Sequence, residues 1–187
     1  MKLDWQHKAR RIGKAAVLAW AAIAGCGGSA LAHVSIEARE ARIGASQKIV
    51  LRVPHGCQGT AMLKLRVQIP EGFYGVKPQP KAGWKMETVT GPYKTPQKAD
   101  HHGPELTQGV REIAWTGKLE DQHYDEFVFI GQVGTTLKPD TMLYFPVVQE
   151  CEKGVERWID VPAHGASGGH SHDLKSPAPG IKILPRR

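Results

Sequence analysis

The sequence predicts an all-β chain folded as one β-sandwich domain, and three observations carry that prediction. Apolar residues recur with period two in short runs rich in β-branched and aromatic side chains. Pro and Gly interrupt those runs again and again. No segment sustains a 3.6-residue apolar period with caps. The 187 residues, with 41% apolar and 23% charged side chains, suit a single globular domain with a real core.

Residues 1–32 read as a cleaved secretory signal. Lys2, Lys8, Arg10, Arg11 and Lys14 form a basic start, AAVLAWAAIAG the apolar centre, and Ala30-Leu31-Ala32 the cleavage site. The apolar run, Ala15 to Gly25, is too short to span a bilayer, and no transmembrane anchor follows. Cleavage leaves His33 first. It also removes five basic residues and one acid from totals of 25 and 18, leaving 20 and 17, a net charge of +3 instead of +7. With no concentrated basic patch, a nucleic-acid partner is not expected. The expected location is exported, periplasmic or extracellular. A competing site is Ile23-Ala24-Gly25-Cys26, which resembles a lipobox. Lipidated Cys26 would then be the first residue of an anchored structural domain.

The domain is expected over residues 33–163. His33 opens a strand-like HVSIEA. Gln47–Val53 places Ile49, Leu51 and Val53 on one face. Met62–Ile69 does the same for Leu63, Leu65, Val67 and Ile69. Further strands are expected at 84–89, 112–115, 126–133, 142–149 and 155–161. Breaks fall at Pro54-His55-Gly56, Pro70-Glu71-Gly72, Gly83, Gly117, Pro139 and Pro162. Residues 91–109 are polar and hold three Pro, so a long loop is expected there. Seven to nine short strands of this kind suit a sandwich. Residues 164–187, carrying His164, His170 and His172 among Gly and Ser, read as a flexible tail.

Export leaves two cysteines, Cys57 and Cys151, and an even count in an oxidising compartment favours a disulfide. Such a bond closes a loop of roughly 90 residues, worth on the order of 4 kcal/mol in the chain-entropy model. A thiolate metal site has no CxxC-type spacing to support it.

His33 is the residue with most chemistry to offer. As a mature N-terminus it presents a free α-amine and the imidazole Nδ1, two nitrogens with a short bite. Nitrogen-rich tetragonal sites favour Cu(II) or Ni(II). The plainer reading is that cleavage merely falls before a His. Phosphate-loop and H-E-x-x-H motifs are absent from the sequence.

Several segments in order resemble the YcnI-like copper-binding family. They are Ala32-His33-Val34-Ser35, Val53-Pro54-His55-Gly56-Cys57, Ile69-Pro70-Glu71-Gly72 and Pro78-Gln79-Pro80-Lys81-Ala82-Gly83-Trp84. Glu112-Ile113-Ala114-Trp115, Tyr124-Asp125-Glu126-Phe127, Gln149-Glu150-Cys151 and Arg157-Trp158 complete the series. The resemblance implies an immunoglobulin-like sandwich with a surface Cu(II) site. It implies a brace at His33, a carboxylate from the loop after an early strand, and a late-strand Trp beside the metal. Trp158 matches that Trp. At the carboxylate this chain departs, since His55-Gly56-Cys57 follows Val53-Pro54. His55 is therefore a candidate third nitrogen. A plainer reading makes His55 a turn residue bonded to backbone beside Cys57, and Trp158 a core residue.

The resulting expectation is a non-enzymatic Cu(II)-binding protein for copper trafficking, delivery or buffering. Its metal residues are His33, His55 and Trp158, and its partner is a copper-accepting protein or a cuproenzyme assembly factor. The runner-up is a copper monooxygenase of the histidine-brace type. The mature chain is short and aromatic-poor for the flat polysaccharide surface such an enzyme needs.

Overall fold

The structure, a computed structural model, describes residues 33–98, 105–162 and 174–187. The expected signal, Cys26, His101-His102, His164, His170 and His172 lie outside them. Among the described residues there are twelve β-strands and no helix. The described residues belong to one compact unit.

Short strands β1 (Ser35–Ile36) and β2 (Glu40–Arg42) lead into β3 (Ser46–Val53) and β4 (Met62–Gln68). Then come β5 (Phe73–Pro78), β6 (Lys85–Lys98), β7 (Glu105–Leu119) and β8 (Asp125–Val133). The chain closes with β9 (Met142–Tyr144), β10 (Val147–Cys151), β11 (Val155–Trp158) and β12 (Gly180–Leu184). One sheet has the order β1-β3-β8-β5, the other β11-β10-β4-β7-β6. A small third sheet has the order β2-β12-β9.

The period-two pattern sets what is buried. Ile49, Leu51 and Val53 of β3, Leu65 and Val67 of β4, and Phe127 and Phe129 of β8 all point inward and are buried. The two large sheets meet where Trp115 of β7 packs against Phe127 of β8, ring centroids 5.3 Å apart. Gly131 continues the inward face of β8, and a Cβ there would run into the Phe73 ring. Phe73 in turn packs edge-on against Phe145 at 5.3 Å.

Four expectations need correction. In β4 the register shifts between Met62 and Lys64. That irregularity turns Met62 inward and leaves Leu63 exposed, so Leu63 does not share a face with Leu65. The stretch 91–109 is not simply a loop, because β6 runs to Lys98 and β7 starts at Glu105, paired across a long hairpin. Pro92 is tolerated because β6 is an edge strand with one unpaired side. The single strand expected over 142–149 is two, β9 and β10, in different sheets. Pro146, which has no N–H to donate, stands between them, and Phe145 is buried at the crossing.

The fourth correction concerns the tail. Residues 174–187 carry β12, parallel to β2 and antiparallel to β9. Ile181 and Ile183 alternate with Lys182 and are fully buried. Period-two burial of two β-branched residues outweighs the Pro and Gly around them.

Candidate functional site

Val34 is buried immediately before β1, which hydrogen-bonds along β3 with Ser35 opposite Arg52. That seating fixes His33 at an edge of the first sheet. Trp158 ends β11, the edge strand of the second sheet, opposite Val147. The His33 and Trp158 rings meet edge to face, with centroids 4.8 Å apart and planes at 68°. Two edges from different sheets are thus joined at the two residues singled out in the sequence. Trp158 is 7% exposed and belongs to the buried core, as the plainer reading of it expects.

Trp158 is held by a residue that sequence reasoning passed over. Its indole Nε1–H donates to Oε1 of Gln149 at 2.6 Å. The Gln149 Nε2 donates to the backbone carbonyl of His55 at 3.2 Å and approaches the Met62 sulfur at 3.7 Å. Gln149 occupies an inward position between Val147 and Cys151, where the alternation calls for an apolar residue. A buried amide in an apolar phase was the available signal.

His55 lies between β3 and β4. Cys57 and Thr60 exchange backbone hydrogen bonds of 3.0 and 2.9 Å around Gln58-Gly59. Both central residues have positive φ, 51° and 77°, as a two-residue hairpin turn of this type requires. The His55 Nδ1 lies 2.7 Å from the Gly56 carbonyl oxygen and 4.0 Å from Asp121 Oδ1. A carbonyl only accepts, so Nδ1 carries a hydrogen in this contact. The turn reading of His55 thus describes its Nδ1 contacts.

Cys57 and Cys151 are disulfide-bonded, with Cα atoms 5.9 Å apart. The bond sits two residues beyond His55 on one segment and two beyond Gln149 on the other.

A cavity of about 490 Å³ opens beside His33. Glu37, Arg39, Arg52, Met142 and Tyr144 contribute to its wall, together with the residues leading into β12. Arg52 pairs with Glu37 at 2.7 Å and Glu126 at 3.5 Å, so its charge is matched locally. Burial raises the Tyr144 phenol above its ordinary value, keeping it a neutral hydrogen-bonding group.

Among the described residues no three His, Cys, Asp or Glu side chains gather into a metal cluster. A metal at this site would rest first on the nitrogens of His33 itself, a set that fits a nitrogen-preferring divalent ion.

The family described as a domain of unknown function, DUF1775, matches residues 33–183. The chain belongs to the DUF1775 family. The match begins at His33, the residue expected to follow signal cleavage, and runs through Ile183 of β12. An uncharacterised protein from Nocardia farcinica, described as having an immunoglobulin-like fold, is similar at 19% identity and a TM-score of 0.58. That similarity covers 81% of this chain and 98% of the other. This DUF1775 chain therefore has an immunoglobulin-like sandwich. A chain of a type I cohesin–dockerin complex from Clostridium thermocellum is similar at 11% identity and a TM-score of 0.40, over 81% of this chain and 98% of that one. No curated protein matches.

Proposed function

We propose that this DUF1775 protein is exported and binds Cu(II) for trafficking, delivery or buffering, using the N-terminal amine and imidazole of mature His33. The observation that carries the reading is the 4.8 Å contact between the His33 and Trp158 rings. It puts the one residue able to offer a two-nitrogen chelate against the Trp that the YcnI-like resemblance implies. The Cys57–Cys151 bond supports the export part of the reading, since such bonds persist in oxidising compartments.

Copper is cargo in this reading. After cleavage the His33 amine loses its proton, and amine and imidazole Nδ1 close a chelate around the ion. Trp158 covers one side of His33. His55 is the proposed further nitrogen, through Nε2. Its Nδ1–H on the Gly56 carbonyl supports this, because metal-ligating histidines characteristically donate their other ring N–H to such a group. The recipient would be a copper-accepting protein in the same compartment.

The deciding experiment titrates Cu(II) into protein beginning at His33 and into the same protein carrying one additional residue before it. Electron paramagnetic resonance reads the nitrogen ligands. One nitrogen-rich equivalent that the extra residue abolishes is expected. Equal binding by both forms overturns the reading.

A further inference from the structure

We infer that Gln149 is the positioning residue of the site, locking the Trp158 indole and the His55 turn into one geometry. The copper arm of this inference rests on the proposed function; the geometric arm does not.

The orientation of the Gln149 amide follows from its partners. The indole N–H of Trp158 can only donate, so the amide oxygen must face it, at 2.6 Å. The NH₂ then faces the His55 carbonyl, which can only accept, at 3.2 Å. Both ends are satisfied in a single orientation, and flipping the amide would break both bonds. Gln149 is 2% exposed, where an amide is disfavoured unless such bonds compensate.

Trp115 is fully buried, and its indole Nε1 has no hydrogen-bond partner among the described residues. The fold thus tolerates a buried indole without a dedicated acceptor. An acceptor is supplied at Trp158, the Trp whose ring touches His33.

The topology explains why one side chain reaches both places. Val147 stands directly opposite Trp158, so Gln149, two residues along β10, is its diagonal neighbour on the same face. Gln149 also pairs with Leu65 of β4, the strand that leaves the His55 loop. Two residues beyond both His55 and Gln149, the disulfide fastens the same two segments. Gln149 therefore sets the spacing between the residue that backs His33 and the turn that carries His55.

The test uses Gln149→Met, which keeps length and removes both hydrogen bonds, in protein beginning at His33. Amide and indole NMR spectra of the metal-free protein give the first readout. The Trp158 indole proton is expected to shift and to lose protection from solvent exchange, while Trp115 stays in place as an internal control. Copper titration gives the second. Cu(II) affinity is expected to fall about tenfold or more, as for other outer-shell partners, with altered paramagnetic resonance parameters. A merely structural role would lower the unfolding midpoint and leave those parameters unmoved. Should Gln149→Met not fold, Gln149→Asn withdraws the same bonds and is read the same way. An unchanged Trp158 indole, or unchanged copper parameters in a variant whose indole has moved, overturns the inference. If the wild-type protein binds no copper, the proposed function has failed, and the indole shift alone decides whether Gln149 locks the geometry.

Discussion

Ile183 lies beside Ala41 in a parallel ladder, so β12 joins the domain next to its second strand. On its other side β12 pairs with β9, Ile181 opposite Leu143. The contribution of this strand is hydrophobic. Ile181, Ile183, Ala41 and Leu143 belong to the buried core.

Stopping the chain before Leu174 is therefore expected to prevent stable folding. Loss of the two isoleucines alone removes roughly 3–6 kcal/mol of burial, against a typical total of about 5–15 kcal/mol. Circular dichroism should show no cooperative melt for the shortened chain. A cooperative melt near that of the full chain would show that β12 is dispensable.

The Cys57–Cys151 bond is expected to contribute on the order of 4 kcal/mol through the denatured state. Urea unfolding with and without reductant measures it. Replacing both cysteines by Ser should give the same loss. The effect should reach the site as well, because His55 and Gln149 are each two residues from the bond. Reduced protein should show a weaker, more exchangeable Trp158 indole hydrogen bond. An unchanged urea midpoint after verified reduction would remove the bond from any account of stability.

How much of this was legible in the sequence depends on the length of each signal. Ile49, Leu51 and Val53, or Phe127 and Phe129, repeat often enough for period two to declare itself, and the sandwich follows from them. His33 could be singled out by the chemistry of an N-terminal histidine, and Trp158 only through the YcnI-like resemblance. Their contact could not, since it depends on which edges of two sheets lie together. β12 was hidden by its first residue, Gly180, and by Pro177, Pro179 and Pro185 around it, which look like linker. The bulge at Met62 was hidden because it depends on tertiary pairing. Gln149 was visible as a polar residue in an apolar phase, but its two partners belong to segments 9 and 94 residues away.

Copper release in acid is expected from the chelate itself. The amine of mature His33 must give up a proton whose reference pKa is about 7.7–8.0. Lower pH refills that site with a proton and competes with the metal. Apparent Cu(II) affinity should fall about tenfold per unit as pH drops below about 7, from the amine alone. Competition titrations across that range measure the slope. A flat profile would mean that the amine is not a ligand.

The alkaline side is governed by two phenols, buried Tyr74 and half-buried Tyr144. Burial raises the Tyr74 pKa above its ordinary 10.0, with the neighbouring Tyr93 adding to the rise. Burial also raises that of Tyr144, on the cavity beside His33. The Tyr74 hydroxyl donates to the Lys98 carbonyl at 3.0 Å, a bond that its ionised form cannot make. In both cases the folded protein favours the neutral ring more than the unfolded chain does. The associated stability is fully present below the ordinary value of 10.0 and is lost as pH rises through the higher folded values. Tyrosinate absorbance should therefore show two rings ionising later in native protein than in urea-unfolded protein, with the urea midpoint falling over the same interval. Replacing Tyr144 by Phe should remove one late-titrating ring and leave the other. Identical native and unfolded titration curves would refute both assignments.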